Sequence, residues 1–155
     1  MPAKEGAEPS PAEGPSARFH RPEADEIRRA ARRILRGGRA TYPSQASFRA
    51  AVLAFLRRDD PLAVVGGTRL RRLALETPGV RLIVSYTERP GGRPLVECPV
   101  CGAPLRPIRN RTLSGDSVVL GQQCTRCRYW THHPRRVPTR YTFARAAVDR
   151  RPASR

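Results

Sequence analysis

The spacing of apolar residues predicts two amphipathic helices near the start of the chain. The first is predicted over Pro22–Arg36, where proline stands at the first helical position and a pair of glycines ends the pattern. The second is predicted from a capping Ser44 to Arg57. Each has one apolar stripe at helical spacing, formed by Ile27, Ala30, Ala31, Ile34 and Leu35 in the first and by Phe48, Ala51, Val52, Phe55 and Leu56 in the second.

Shorter patterns follow the second helix. Leu62–Val65 is predicted to be a short strand, and a third helix is predicted over Arg69–Glu76. Apolar and polar residues alternate along Val80–Glu88, which predicts a strand with one buried face. The turn sequence that follows, with one proline and two glycines, allows Arg93–Glu97 to return as the partner strand.

Composition indicates that both ends of the chain lack the apolar residues of a core, and that the chain carries a large positive charge. Residues 1–17 are rich in Pro, Ala, Gly, Ser and Glu and are predicted to be disordered, and residues 144–155 are predicted to form a basic tail. The chain has 30 Lys and Arg against 13 Asp and Glu, a net charge of +17. Such a charge favours nucleic acid as the partner. No leader or membrane-spanning pattern is found, which predicts a cytoplasmic protein with no membrane partner.

Four cysteines supply the only chemistry that the sequence marks clearly. Cys98 and Cys101 form one C-x2-C pair, and Cys124 and Cys127 form a second. Cysteines of a cytoplasmic protein in this pattern are expected to be metal ligands. Four thiolates close a tetrahedron around one zinc ion and leave no position for substrate, so the ion is expected to be structural. A rubredoxin-like iron site has the same pattern and stays open as an alternative.

The sequence around the cysteines predicts a small β-structure. Arg106–Leu113 and Ser117–Cys124 are predicted to form a hairpin, and Tyr129–Thr131 adds a third strand. Residues 96–143 thereby resemble zinc ribbons, which are familiar from transcription and ribosomal proteins. Gly102 follows the first pair, whereas Arg128 takes the equivalent place after the second. Trp130 and Phe143 are expected to complete the ribbon core, the alternative being that they stack on exposed bases. His132 and His133 are expected to be exposed.

Residues 22–97 resemble a winged helix-turn-helix DNA-binding domain. PSQASFRAAVLAFL would be its second helix, GGTRLRRLALE its recognition helix and VRLIVSYTERPGGRPLVE its wing. The resemblance implies that the recognition helix enters the major groove and that the wing contacts the DNA backbone. Together with arginines near the end of the chain, the nucleic-acid contacts are then expected from Arg69, Arg71, Arg72, Arg89, Arg93, Arg135, Arg136 and Arg140.

The sequence therefore predicts an α+β protein with a winged-helix-like domain at residues 18–97 and a zinc ribbon at residues 98–143. This combination resembles uncharacterised archaeal proteins that pair the two modules. No pair of a nucleophile and a base is found, so neither an enzyme nor a small-molecule substrate is expected. The predicted function is DNA binding in transcriptional regulation, with a location at the nucleoid. The alternatives are RNA or ribosome binding, and an adaptor that docks on the transcription machinery.

Overall fold

The structure, a computed structural model, describes residues 19–147, so the predicted N-terminal tail lies outside the described residues. This part of the chain is a mixed α+β fold of three helices and two antiparallel sheets. No helix within residues 19–147 is both long and apolar enough to span a membrane. The elements are α1 (Ala24–Gly37), β1 (Thr41–Tyr42), α2 (Gln45–Leu56), α3 (Gly67–Glu76), β2 (Val80–Arg89), β3 (Leu105–Arg111), β4 (Ser117–Cys124), β5 (Trp130–Thr131) and β6 (Arg135–Arg145).

Local capping explains where the first two helices begin. Glu23 caps α1 in a reciprocal capping box with Glu26, whose side chain accepts a hydrogen bond from the Glu23 backbone N–H at 2.6 Å. The Ser44 hydroxyl caps α2 by accepting a hydrogen bond from the backbone N–H of Ser47 at 3.1 Å. The apolar stripes of both helices face the same core, which confirms the helices predicted from the sequence.

The link between α2 and α3 is not the strand that the sequence predicts over Leu62–Val65. It forms only an isolated parallel bridge between Ala63 and His20. Two arginines hold the link: Arg49 of α2, whose Nε donates to the Val65 carbonyl at 2.6 Å, and Arg57, the C-cap of α2, whose Nε donates to the Ala63 carbonyl at 3.2 Å. These two side chains are thus engaged within the fold.

The first sheet has the order β1-β6-β2 and corrects the predicted hairpin. The partner of β2 is β6, and the pairing runs from Val80 with Arg145 to Arg89 with Arg135, with one register shift between Ser85 and Tyr86. Residues 93–97 form no strand, so the predicted pairing with Arg93–Glu97 is wrong. Ala144 and Arg145, which the sequence assigns to a tail, are the last residues of β6. Residues 90–134, here called the insert, therefore interrupt a hairpin that belongs to one sheet.

The second sheet lies entirely within the insert and has the order β3-β4-β5. The hairpin between β3 and β4 closes through Ser114, Gly115 and Asp116, as the sequence predicts, with Gly115 at φ +92°. The strand β5 contains two residues, which pair with Gln122 and Gln123 of β4. The insert thus contains the small sheet that the sequence predicts there.

Two apolar clusters meet on the β2–β6 hairpin. The helices bury one cluster, in which the rings of Phe48 and Phe143 stack with centroids 4.3 Å apart. The cysteines form the second cluster with Val100 and Tyr129. Leu82 and Tyr141 pack against both clusters, so the insert is packed against the helical part through one continuous apolar contact.

Candidate metal centre

The β3–β4 hairpin brings the four cysteines to one end of the insert. Cys98 and Cys101 lie in the loop before β3, and Cys124 is the last residue of β4. Because Leu105 at the start of β3 pairs with Cys124, the two C-x2-C segments emerge side by side. Cys127 lies between β4 and β5. Three of the four side chains are buried, and Cys127 is half-buried.

The sulfur positions fit a four-coordinate metal ion. Cys98 Sγ lies 3.5 Å from Cys127 Sγ, and Cys101 Sγ lies 3.5 Å from Cys124 Sγ. All four sulfurs lie within 4.8 Å of one another. Sulfurs at about 2.3 Å from a tetrahedral zinc ion are about 3.8 Å apart, a value inside this range. The cluster could therefore hold a metal ion with little rearrangement.

Backbone N–H groups point at the sulfurs in the same way in both C-x2-C segments. Cys124 Sγ accepts hydrogen bonds from the N–H groups of Arg126 and Cys127, each at 3.3 Å. Cys98 accepts the equivalent bonds from Val100 and Cys101. A further bond joins the N–H two residues on to the second cysteine of each pair, and at Cys127 this distance is 3.4 Å. Donors of this kind stabilise thiolates and orient them toward one ion.

Glycine is required after the first pair of cysteines but not after the second. Gly102 has φ +73°, a conformation that costs an L side chain energy. No described residue other than glycine has a positive φ, so Arg128 takes an ordinary conformation at the equivalent place. The second segment still closes in the same way, since Cys124 N–H donates to the Tyr129 carbonyl at 2.8 Å as Cys98 N–H does to Ala103. Arg128 is therefore compatible with the site.

The electrostatics of the cluster favour a cation at its centre. The hydrogen bond from the Cys127 thiol lowers the pKa of Cys98 to about 5, and burial raises the pKa of Cys101 to about 11. Hydrogen bonding to Cys98, together with burial, also raises the pKa of Cys127. The thiols therefore resist ionising together, because each new thiolate repels its neighbours in a poorly solvated place. A divalent cation would supply the missing positive charge and would allow all four to bind as thiolates.

The loop of the first pair is docked on α3 by hydrogen bonds that the sequence did not indicate. Arg71 Nε donates to the Val100 carbonyl at 2.5 Å, and Arg72 Nε donates to the Cys101 carbonyl at 3.3 Å. The Arg71 guanidinium also bonds to Gln45 and lies 4.4 Å from the centre of the Tyr141 ring. Tyr141 in turn donates its hydroxyl to the Pro99 carbonyl at 3.0 Å. The loop of the first cysteine pair, here called the metal-ligand loop, is thereby held by α3 and β6, and Gln45 of α2 supports Arg71.

Replacing Arg71 by alanine is expected to weaken metal binding although Arg71 touches no ion. The change removes the donor to Val100 and the contact with Tyr141, and it should cost about 1–3 kcal/mol of stability. Metal affinity should fall about tenfold, as it does when groups that orient metal ligands are lost. Competition with a chromogenic chelator measures the affinity. Arg69→Ala, on the same helix but without a hydrogen bond to the loop, is the control and should bind metal like the wild type; equal affinities of both variants would contradict the role of Arg71.

The structure separates the predicted nucleic-acid contacts of α3. Arg71 is half-buried under the loop of the first cysteine pair, and Arg72 is exposed but bonded to the same loop. Gly102 also lies against this face, where an added Cβ would stand 3.4 Å from the Thr68 side chain. Arg69 is half-buried and lies outside this contact. Contact of these arginines with nucleic acid stays a prediction.

The predicted wing arginines, Arg89 and Arg93, lie at the end of β2 and in the loop after it, whereas the three arginines predicted near the end of the chain lie on β6. Arg89 and Arg135 pair directly across β2 and β6, and Arg93 is exposed in the following loop, where its carbonyl is 3.5 Å from Arg135 Nη1. Arg140 is exposed on β6. Arg136 is instead held between two aromatic rings, with its guanidinium carbon 4.2 Å from the centre of Tyr86 and 4.6 Å from the ring of Trp130. Arg93 and Arg140 are therefore exposed to solvent, whereas Arg136 is held by contacts with two aromatic rings.

The aromatic residues that were expected to complete the ribbon core lie elsewhere. Phe143 is fully buried in the helical cluster, against Phe48. Trp130 is 45% exposed and lies beside His132, which is exposed together with His133 as predicted. Tyr129 fills the core of the insert in their place, at 2% exposure, and donates its hydroxyl to the Arg136 carbonyl at 2.6 Å. The hydrogen bond gives the buried phenol hydroxyl a partner inside the fold.

Comparisons with protein-family models, with curated proteins and with solved structures found no match for this chain.

Proposed function

We propose that the protein is a non-enzymatic nucleic-acid-binding protein with one structural zinc ion, that duplex DNA is its favoured partner, and that it acts in transcriptional regulation. The zinc ion would be held by Cys98, Cys101, Cys124 and Cys127, whose sulfurs leave no open coordination position. The ion would stabilise the insert and take no part in a reaction.

The observation that carries the proposal is a positive charge that internal ion pairs do not neutralise. The chain has a net charge of +17. Among the arginines of residues 19–147, only Arg28 and Arg126 form ion pairs, with Asp25 and Glu76. Exposed arginines without carboxylate partners attract a polyanion and release its counterions on binding. Nucleic acid is the polyanion that such a surface fits best.

The arrangement of the elements supports duplex DNA. Three helices pack together, and a β-hairpin formed by β2 and β6 follows the third helix. This keeps the order of the winged helix-turn-helix that residues 22–97 resemble, with the insert at the position of the wing tip. If the protein bound DNA as a winged helix-turn-helix does, Arg69 of α3 and the exposed Arg89, Arg93 and Arg140 would contact the duplex.

Duplex DNA is expected to bind the zinc-loaded protein at about 200 mM salt at least tenfold more tightly than it binds a polyarginine of equal charge. A fold that places arginines in fixed positions retains affinity where diffuse charge attraction is screened. Fluorescence anisotropy with a labelled duplex measures both affinities. Equal affinities for the protein and the polycation would contradict the proposal.

A single-stranded RNA partner is the second candidate, and Trp130 is the observation that favours it. Trp130 is 45% exposed, its ring centroid lies 5.2 Å from that of His132, and the guanidinium carbon of Arg136 lies 4.6 Å from the Trp130 centroid. A partly exposed indole ring can stack on an unpaired base. Since the chain has one tryptophan, quenching of its fluorescence by single-stranded RNA but not by duplex DNA would favour RNA.

A further inference from the structure

The solvent face of α1 carries a row of arginines that the fold does not use. Arg29, Arg32, Arg33 and Arg36 follow at i, i+3, i+4 and i+7 and so share one side of the helix. The buried residues of α1 lie on the opposite side. None of the four arginines forms an ion pair with a carboxylate of residues 19–147. The row spans about 10 Å of the helix axis at about 1.5 Å per residue.

A groove runs along this row between α1 and α2. Its volume is about 740 Å³, and Arg58, just beyond the end of α2, closes the opposite wall, with its guanidinium carbon 5.5 Å from the centre of the Phe55 ring. The floor is formed by Tyr42, Ala51 and Phe55. No acidic residue lines the groove, and no residue of α3, the β2–β6 hairpin or the insert takes part in it.

The arrangement is unfavourable for the isolated protein. Arginines three and four residues apart on a helix repel each other, so the row opposes the stability of α1. Only Arg36 lies in the last turn, where the helix dipole favours a cation. A bound anion would remove the repulsion. Guanidinium groups suit phosphate oxygens because their N–H groups form a planar fork.

The carboxylates nearest the groove limit where an anion can lie. Glu26, Asp59 and Asp60 line a neighbouring depression that shares Arg29 and Phe55 with the groove, and Asp25 lines another together with Arg29 and Arg32. An anionic strand would therefore lie along the row from Arg29 toward Gly37 and Gly38, away from these carboxylates. Phosphates of one duplex strand advance about 3.4 Å along the axis, so the row could meet about three of them.

We propose that the groove walled by Arg29, Arg32, Arg33, Arg36 and Arg58 binds the sugar–phosphate backbone of nucleic acid without regard to base sequence. This rests on the proposed nucleic-acid binding and adds to it a second contact surface, separate from α3 and the hairpin. The arginines bind phosphate oxygens, and the apolar floor lies against the sugars. No base edge is read here, so the surface contributes affinity and salt dependence and not specificity.

The test compares two triple variants of the zinc-loaded, full-length protein that lose the same charge. One carries Arg29→Gln, Arg33→Gln and Arg36→Gln. All three positions are exposed on the helix, where glutamine is well tolerated. The control carries three changes at exposed positions of β3, namely Arg106→Gln, Arg109→Gln and Arg111→Gln. Thermal melts establish that both variants are folded. Binding of a labelled duplex is then titrated at several salt concentrations, and anionic vesicles of phosphatidylserine and phosphatidylcholine serve as a second probe.

The groove variant is expected to lose about tenfold or more in duplex affinity at about 150 mM salt, equally for unrelated sequences. The slope of log affinity against log salt should fall by about two to three, since each lost phosphate contact removes about 0.9. The control should change by less than half as much. If the wild type binds and both variants behave alike, the groove proposal is overturned while nucleic-acid binding stands. If the groove variant loses vesicle binding but keeps duplex binding, the occupant is a lipid surface and the proposal is overturned. If the wild type binds no duplex beyond the polycation level, the proposed function fails together with this inference.

Discussion

Removal of the metal is expected to unfold the insert while the helices remain partly folded. The insert buries one small cluster around the cysteines, which is too little apolar surface to stabilise β3, β4 and β5 alone. Structural zinc contributes about 10–16 kcal/mol in zinc-finger peptides, as much as the whole stability of an ordinary domain. Cys124→Ser should have the same effect as removal of the metal by a chelator. The substitution removes a buried ligand whose sulfur accepts hydrogen bonds from two backbone N–H groups.

The helical part should survive at reduced stability because β6 can still pair with β2. An unfolded insert would be a loop of about 45 residues, and its closure costs on the order of 3 kcal/mol. Circular dichroism during a chelator titration should therefore show loss of strand signal first and a lower melting temperature for the remaining helices. Ser114→Ala, in the exposed hairpin turn, is the matched control. It should keep both the strand signal and the melting temperature of the wild type. A chelated protein with an unchanged spectrum and melt would contradict a structural role for the metal.

Phe143→Ala is expected to destabilise the helical part by about 3–5 kcal/mol, although Phe143 follows the cysteines in sequence. Its side chain is fully buried and stacks on Phe48 with 4.3 Å between centroids, so truncation leaves a cavity between α2 and β6. Urea unfolding monitored by helix circular dichroism gives the change. Metal should remain bound under native conditions, because Phe143 does not belong to the cysteine cluster.

Two variants separate this cavity effect from other causes. Phe143→Leu keeps most of the volume and should cost much less than the alanine variant. Trp130→Ala removes a larger aromatic that is 45% exposed, and it should cost about 1 kcal/mol or less. If Phe143→Ala released the metal while its helices melted like those of the wild type, Phe143 would belong to the core of the insert. That result would overturn the observed topology.

The sequence predicts the helices and the cysteine cluster well because their signals are local. Glu23 and Ser44 cap helices that begin within two residues of the predicted positions. The two C-x2-C segments and the turn at 114–116 each depend on a few adjacent residues. These features need no knowledge of the rest of the chain.

The pairing of β2 with β6 could not be predicted in the same way, because the insert separates the two strands. The proline and glycines after Arg89 resemble a hairpin turn and make the next residues the obvious partner. Pro138 also hides β6, since proline in a central strand lacks the ladder N–H. The structure tolerates Pro138 because a bulge between Ser85 and Tyr86 shifts the register there. The alternation that ends in Tyr141 and Phe143 was the signal available for this strand.

The docking of Arg71 on the metal-ligand loop also lay outside what the sequence could show. Its helix position indicates only that it points away from the Leu70 and Leu73 side of α3. What lies on that side depends on the path of the insert, which returns the Val100 carbonyl to α3. A long-range contact of this kind has no local pattern.

Native mass spectrometry of the purified protein shows whether the four cysteines hold one structural zinc ion. The protein should be expressed in medium that contains both zinc and iron. The wild type is expected to carry one zinc ion per chain, bound to four deprotonated cysteines, and Cys124→Ser is expected to lose that ion. A wild-type chain that carries iron, more than one ion, or no metal at all would contradict this expectation.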